Sequence, residues 1–273
     1  MKAASKIYTV VMFLFLYAPI VVLIIFSFND STTMSRTVWS GFSLRWYERL
    51  FENRLIMEAL KNTLIIALVS SVCATAIGTV AAIGINALGK TLRRIVMNIT
   101  NMPMVNPEIV TGVALMLLFV FIANLLGGVS LGMVTLILSH TTFCIPYVVL
   151  CVMPKLNQMD PHLYEAAQDL GCNPVKSFFK VVLPEIMPGV VTGFIMSVTL
   201  SIDDFIISYF TSGTTQTLPI YIYSMTRKRI SPEINALSTL LFVTVLVLLL
   251  VVNMRQSKDR KLARHARRRS KEV

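Results

Sequence analysis

Six long apolar stretches constrain this chain more than any other feature of its sequence. A hydrocarbon core of about 30 Å is crossed by about 20 helical residues, and each stretch has roughly that length without any Lys or Arg. They cover residues 8–28, 62–88, 103–126, 131–153, 189–211 and 235–253. Only 14% of all residues are charged, too few to cover the surface of a soluble domain. The sequence therefore predicts an all-α membrane protein with six transmembrane helices, forming one transmembrane domain over residues 1–273.

The basic residues predict how the chain is oriented. With both termini in the cytoplasm, 17 of the 25 Lys and Arg lie inside, including nine in the tail 254–273. The other eight, Arg36 and Arg229 among them, fall in outer segments, which carry less weight in the positive-inside rule. We therefore expect both termini in the cytoplasm, with the basic tail held at the anionic inner membrane surface. This clustering, rather than nucleic-acid binding, accounts for the net charge of +11.

Two connections between the apolar stretches predict structure of their own. In the outer one, WSGFSLRWYERLFEN has apolar and aromatic residues at helical spacing, which predicts a helix lying in the membrane interface. In the cytoplasmic loop 154–188, two short helices are predicted at 165–170 and 175–182. Gly171 ends the first with a positive φ, Pro174 starts the second and Pro184 stops it. Such a pair suits docking to a cytoplasmic partner, and a loop that only joins two spans is the alternative.

The cytoplasmic loop also carries a specific motif. It is similar to E-A-A-x3-G-x9-I-x-L-P, the EAA signature of ABC importer permeases, with Val181 at the usual Ile. This resemblance implies the type I (MetI-like) permease fold in a bacterial cytoplasmic membrane, and a coupling helix that contacts a separate ATPase dimer. The residues to which it assigns coupling are Glu165, Ala166, Ala167, Gly171, Cys172, Asn173, Leu183 and Pro184.

The resemblance has further implications for partners and cargo. It implies an extracytoplasmic substrate-binding protein and a second homologous permease subunit, as a heterodimer. It also implies that ATP binds the partner ATPase, so that this chain is no enzyme and needs no cofactor or metal. The segments SHTTFCIPYVVLCV, SIDDFIISYF and IYSMTRKRISPEINALSTLL resemble polyamine (spermidine/putrescine) permeases. Permeases for Fe(III), thiamine or phosphonate remain the alternative, and a secondary transporter with inverted repeats is a further one.

Asp203 and Asp204 are the most unusual residues of the apolar stretches. They lie about 22 Å along the fifth predicted span at 1.5 Å per residue, and a carboxylate there costs about 2.5–3.5 kcal/mol on insertion scales. Water, another subunit, a helix end or a passing cation must compensate for them. We predict that at least one of them contacts a polycationic substrate in transit. The alternative is a structural carboxylate that is solvated or paired with a subunit.

Other candidate residues of the substrate path carry weaker signals. Glu108 follows Asn106 and Pro107, which we interpret as the cap and first position of a helix that opens near the inner mouth. Tyr221 and Tyr223 could stack on ammonium groups or belong to an interfacial aromatic belt. His140 is expected to be hydrogen-bonded within the helix bundle. The basic outer loops do not themselves attract a polycation. They agree with a polycationic substrate if a separate binding protein captures it.

The octapeptide GINALGKT, at residues 84–91, matches the pattern of a phosphate-binding loop. A working loop of this kind follows a strand, whereas this one follows a long apolar stretch that is predicted to be helical. We therefore interpret Gly89 as the end of the second span and Lys90, Arg93 and Arg94 as positive-inside charges.

Overall fold

The computed structural model describes residues 2–30, 39–127, 130–160, 162–228 and 232–269, and nearly all of them are helical. Arg36, Arg229 and residues 270–273 of the basic tail, which entered the predicted charge distribution, lie outside the described residues. The helices are α1 (Lys2–Ser27), α2 (Arg45–Glu52), α3 (Arg54–Ala87), α4 (Lys90–Val105), α5 (Glu108–Leu126), α6 (Met133–Gln158), α7 (His162–Asp169), α8 (Pro174–Ser177), α9 (Leu183–Asp203), α10 (Ile206–Thr211), α11 (Leu218–Lys228) and α12 (Pro232–Arg269), with a π-helical turn, Phe178–Val182, between α8 and α9.

Six helical segments are long and apolar enough to cross a membrane, which confirms the number predicted from the sequence. They are Lys6–Ser27, Arg54–Ala87, Glu108–Leu125, Met133–Gln158, Pro174–Asp203 and Glu233–Leu250. Several bounds differ from the prediction because prolines did not end the helices. The fourth helix continues past Met153, since Pro146 and Pro154 are both accommodated inside α6.

The helices group into two compact units. One comprises the described residues of Met1–Lys61 and Gln216–Thr244. Its core contains Trp46 and Leu50 of α2, with residues of α3, α11 and α12 around them. The indole N–H of Trp46 donates to the carbonyl oxygen of Asn29 at 2.8 Å. The predicted helix in the outer connection is therefore present. Trp46 and Leu50 on one face of it are buried, whereas Phe51 is exposed, and its place in a membrane interface stays a prediction.

The other unit comprises the described residues of Asn62–Thr215 and Val245–Val273. Its centre is the pair α6 and α9, which approach closely because α9 has glycines at positions 189 and 193. A Cβ on Gly189 would lie 2.8 Å from the carbonyl oxygen of Cys151, and one on Gly193 would lie 3.3 Å from Cα of Val148. Val148 also contacts Gly78 of α3, so small residues on both neighbouring helices make room for this side chain.

The third and fifth predicted spans are not continuous helices. In the third, Asn106 and Pro107 have extended backbone conformations between α4 and α5, so the apolar helix begins at Glu108 instead of residue 103. In the fifth, α9 ends at Asp203 and the extended Asp204 precedes the short helix α10. The prediction of one helix over 189–211 was therefore wrong. We call these two interruptions the third-span break (Asn106–Pro107) and the fifth-span break (Asp204–Phe205).

The cytoplasmic loop has the predicted first helix and turn but a different second helix. Gly171 follows α7 with φ +85°, as expected for a glycine that ends a helix. Pro174 is at the first position of α8, and the Asn173 side chain caps it by accepting from the Lys176 N–H at 2.8 Å. Pro184 does not stop this helix, contrary to prediction. It lies in the first turn of α9, where a missing N–H is tolerated, directly after the π-helical turn.

Candidate translocation site

Asp204 caps the short helix that follows the fifth-span break. One oxygen of its carboxylate accepts from the backbone N–H of Ile207 at 3.3 Å, and the other accepts from the backbone N–H of Ser208 at 2.8 Å. These N–H groups belong to the first turn of α10 and have no partner within that helix. The free N–H groups at a helix N-terminus stabilise a negative charge. Of the four ways to compensate this carboxylate, the structure therefore supplies a helix end.

A buried chain of side-chain hydrogen bonds completes the surroundings of Asp204. The Ser208 hydroxyl donates to Oδ2 of Asp204 at 2.9 Å, and Nε2 of His140 lies 2.9 Å from that hydroxyl and 3.5 Å from Oδ2. On the other side of the imidazole, Nδ1 lies 2.6 Å from the hydroxyl of Ser201, which is 3.4 Å from that of Ser70. His140 is thus hydrogen-bonded within the bundle, as predicted, and Asp204 is 8% exposed.

The neighbouring carboxylate of Asp203 has a different environment. Asp203 is the last residue of α9 and is exposed, whereas Asp204 is turned inward to the cap of α10. The two aspartates that were considered together in the sequence therefore have separate surroundings. Asp204 has the contacts of a structural residue, and Asp203 is accessible to a solute.

Glu108 begins α5, which packs against α10 directly after the fifth-span break. Its predicted place near the inner mouth stays a prediction. Gly112, one turn further along α5, faces α10. A Cβ on Gly112 would lie 2.9 Å from Cδ2 of Phe210 and 3.5 Å from the carbonyl oxygen of Ile206. The negative charge of Glu108 consequently interacts with those of Asp203 and Asp204.

The helix start at Glu108 differs from the prediction. Asn106 directly follows the last residue of α4 and does not cap α5. The residue before α5 is Pro107, and no side chain caps this helix. Glu108, which is exposed, is therefore the first helical residue, and both helix breaks bring a carboxylate to the same part of this unit.

The two tyrosines of the predicted substrate path belong to the other compact unit. Tyr221 is buried, 9% exposed, in the core cluster around Trp46. Tyr223 is more exposed, and the guanidinium of Arg227 lies 5.5 Å from the centre of its ring. Neither arrangement tests their proposed contact with a substrate, which stays a prediction.

Most of the predicted coupling residues lie on the surface of the cytoplasmic loop. Glu165 and Ala166 are exposed on α7, whereas Ala167 is buried. Nδ1 of the exposed His162 lies 3.3 Å from Oε2 of Glu165. The remaining coupling residues follow α7. Of these, Gly171, Asn173 and Pro184 are exposed, and Cys172 and Leu183 are half-buried.

Sequence reasoning missed the fifth-span break and the roles of Ser201 and Ser208. One signal was available, since Asp is among the preferred residues before a helix and Asp204 precedes a run that ends at Thr211. The hydrogen bonds to His140 join residues 61 and 68 positions apart and had no local signal. Among the described residues, no three His, Cys, Asp or Glu are placed to hold a metal ion.

The octapeptide at residues 84–91 has helical surroundings. It begins inside α3, passes through Leu88 and Gly89, and ends in the first turn of α4. Gly89 lies between the two helices with φ −59°, a value open to any residue. The segment before it is a helix and not the strand that a phosphate-binding loop requires.

Comparison with known proteins places the chain in a family. Residues 74–260 match the binding-protein-dependent transport system inner membrane component. The chain belongs to this family. The protein is accordingly a permease subunit of an ABC importer in the inner membrane, a transporter component rather than an enzyme, and it works with a substrate-binding protein and an ATPase.

Individual relatives of this permease cover most of its length. It is 41% identical over 237 residues to the putrescine transport system permease protein PotI of Escherichia coli (strain K12), covering 85% of this chain and 83% of PotI. It is 37% identical over 251 residues to the spermidine/putrescine transport system permease protein PotC of Haemophilus influenzae (strain ATCC 51907 / DSM 11121 / KW20 / Rd), covering 91% of this chain and 95% of PotC.

Solved structures show the same fold at lower sequence identity. A bacterial ABC transporter involved in the import of the acidic polysaccharide alginate aligns with a TM-score of 0.69 and 20% identity, over 95% of this permease and 94% of that chain. An amino acid ABC transporter aligns with a TM-score of 0.54 and 16% identity, over 78% of this permease and 98% of that chain. The ABC importer permease fold predicted from the EAA motif is thus confirmed.

Proposed function

We propose that this permease carries polyamines, and that the carboxylates at the two helix breaks contact the ammonium groups in transit. The single observation that carries the proposal is the exposed Asp203 beside the exposed Glu108, in apolar stretches that contain no Lys or Arg. The similarity to PotI and PotC supports the same substrate class.

The arrangement of charge favours a polyamine over a phosphonate or a compact metal cation. Carboxylates repel a phosphonate, because like charges at close range raise the energy of the bound state. A compact metal cation requires several ligands around one point, whereas Asp203 and Glu108 do not meet at a metal-binding group within the described chain. Ammonium groups separated by a hydrocarbon chain suit carboxylates that come from two different helix breaks.

The energy for transport enters through the cytoplasmic loop in this proposal. Glu165, Ala166 and Gly171 are exposed there and are available to an ATPase subunit. The loop continues through α8 and the π-helical turn into α9, whose last residue is Asp203. Nucleotide-driven movement of the loop would therefore reach the proposed path directly along one helical segment.

The orientation of the permease and its remaining partners are part of the same proposal. We place both termini in the cytoplasm and infer a second, homologous permease as a heterodimeric partner. The side chains of residues 6–19 in α1 are all exposed and almost entirely apolar, so lipid or another subunit must cover them. Capture of the polyamine is assigned to a separate binding protein, since the outer segments of this permease are rich in Lys and Arg.

Uptake of radiolabelled putrescine and spermidine by the assembled importer tests the substrate path. We expect Asp203→Asn and Glu108→Gln each to lower the rate of uptake by about tenfold, because a charge-assisted contact is worth about 1.5–3 kcal/mol. Glu58→Gln, an exposed acid near the start of α3, is the matched control and should retain full uptake.

Two results would contradict the proposed path. Unchanged uptake in Asp203→Asn and in Asp204→Asn would remove both aspartates from it. Absence of polyamine uptake by the unaltered importer, with transport of another solute intact, would reject polyamines as the cargo.

A further inference from the structure

The side chain of His140 bridges the two sides of the fifth-span break. Its Nδ1 is 2.6 Å from the hydroxyl of Ser201, in the last turn of α9, and its Nε2 is 2.9 Å from the hydroxyl of Ser208, in the first turn of α10. His140 itself belongs to α6, which packs against both of these helices. The imidazole ring of a third helix therefore fixes the separation of the two helix ends. The backbone hydrogen bonds of a continuous helix are interrupted between them.

The hydrogen bonds of this bridge have a consistent direction. The Ser208 hydroxyl donates its single proton to Asp204, so it must in turn accept from His140. This assigns the proton of the neutral imidazole to Nε2, and leaves Nδ1 to accept from the Ser201 hydroxyl. Each nitrogen then has one partner of the required kind, and the ring cannot rotate without losing both.

We infer that His140 is a positioning residue for transport, which holds the fifth-span break in the geometry that presents Asp203 to the substrate path. Asp203 lies two residues after Ser201 and directly before the extended residue Asp204, so its direction depends on the backbone of the break. This inference rests on the proposed function for the use of Asp203. The geometric part of it does not depend on which solute is carried.

Three substitutions separate the two arms of the bridge. His140→Phe keeps a ring of similar size and removes both hydrogen bonds. In His140→Asn the amide ends near the position of Nδ1 and can serve Ser201 alone, and in His140→Gln it ends near Nε2 and can serve Ser208 alone. The matched control is Ser139→Ala, which removes a buried hydroxyl that donates only within α6, to the carbonyl oxygen of Thr135 at 2.7 Å.

The accessibility of position 203 is the readout that a merely structural role would not move. Asp203→Cys is introduced after the four native cysteines, at positions 73, 144, 151 and 172, have been replaced by Ala. The labelling rate by a positively charged methanethiosulfonate reagent is then measured in the importer assembled with its ATPase. We expect His140→Phe to change this rate by at least about fivefold and the Asn and Gln variants to fall between, since a hydrogen bond contributes about 0.5–1.5 kcal/mol.

The control and the partial variants make the outcome decisive. In the Ser139→Ala variant, the labelling rate at position 203 should stay within about twofold of the parent rate. A difference of that size is smaller than the contribution of one hydrogen bond. Labelling of His140→Phe within that same range, or an equal change in Ser139→Ala, would overturn the inference. If His140→Phe does not assemble, equal labelling of the Asn and Gln variants and the parent would overturn it instead.

A second measurement connects the bridge with transport. With Asp203 and the native cysteines present, His140→Asn and His140→Gln should lower the amount of polyamine taken up per ATP hydrolysed. A loss of assembled importer would reduce uptake and hydrolysis in proportion, leaving that ratio unchanged. Failure of the unaltered importer to carry polyamines would reject the proposed function, while the labelling result would still stand or fall on its own.

Discussion

At the scale of single residues, two adjacent carboxylates have different surroundings because the helix ends between them. Asp203 is exposed, and Asp204 accepts two backbone and one side-chain hydrogen bond beside His140. Removing one partner from a buried hydrogen-bonded group costs about 1–3 kcal/mol for each donor left unsatisfied. The stability of the permease should consequently depend on Asp204 far more than on Asp203.

We predict that Asp204→Asn lowers the unfolding temperature of the detergent-purified permease by about 5 °C, given about 2–4 °C for each kcal/mol in a chain of this size. Asn offers one acceptor oxygen where Asp offers two, so at least one of the donors of Ile207 and Ser208 loses its partner. Thermal unfolding followed by tryptophan fluorescence measures the effect. Asp203→Asn is the control and should unfold at the same temperature as the parent, and an equal decrease in both variants would contradict the difference in their surroundings.

Sequence reasoning identified these residues but not what they do. The cost of a carboxylate in an apolar stretch marked Asp203 and Asp204, because that cost depends only on residue type and surroundings. How the cost is met depends on contacts with α6, which is distant in sequence. Glu108 illustrates the same limit, since its position beside α10 follows from the packing of Gly112 and not from its place at the start of a helix.

At the scale of helices, small residues determine how closely α6 and α9 pack. Gly189 and Gly193 are four residues apart and therefore lie on one face of α9. Both face α6 at distances that leave no room for a further carbon atom without a shift. Such a pair allows two backbones to approach closely within a membrane, where van der Waals contact is a main source of helix association.

We predict that Gly189→Val destabilises the permease by about 1–3 kcal/mol, the usual range for overpacking a close contact. Its Cβ would lie 2.8 Å from the carbonyl oxygen of Cys151, and backbone atoms cannot move aside as a side chain can. The unfolding temperature in detergent measures the change. Gly84→Ala is the control, because a Cβ at Gly84 meets nothing within 4 Å, and this variant should be as stable as the parent.

The helices also show where residue patterns were reliable. The number of membrane-crossing segments and the turn at Gly171 were predicted correctly, because hydropathy and a positive φ depend on local sequence. That the chain stays helical past Pro184 was not predicted, because a proline is disruptive in a helix interior and harmless in a first turn. Only the position of the π-helical turn directly before it decides between these two cases.

At the scale of the whole molecule, one helical segment joins the cytoplasmic loop to the candidate translocation site. Pro174–Asp203 has 30 residues, including the π-helical turn, and spans about 45 Å at 1.5 Å per residue. α7 of the loop precedes this segment and Asp203 ends it. A change in the position of the loop can therefore be transmitted to the fifth-span break without passing through another part of the chain.

We predict that Ala166→Trp abolishes ATP-dependent uptake and leaves the fold intact. Ala166 is exposed on α7, so the larger side chain meets solvent in the free permease and obstructs only a docked ATPase. Co-purification of the ATPase with the variant measures docking, and thermal unfolding measures the fold. Lys90→Ala is the control and should retain uptake, because Lys90 begins α4 and belongs to no phosphate-binding loop. Normal co-purification with Ala166→Trp would contradict the assigned docking surface.

The two helix breaks have a consequence for hydration. The last carbonyl groups of an interrupted helix have no N–H partner within that helix. At membrane depth, such irregular backbone occurs only where protein or water supplies the missing hydrogen bonds. Near the third-span and fifth-span breaks, bound water would meet this need and would also raise the local dielectric constant around Asp203. If polyamines follow the proposed path, they exchange their hydration shell here for waters and carboxylates already in place, so that their charges are never fully desolvated on the way through.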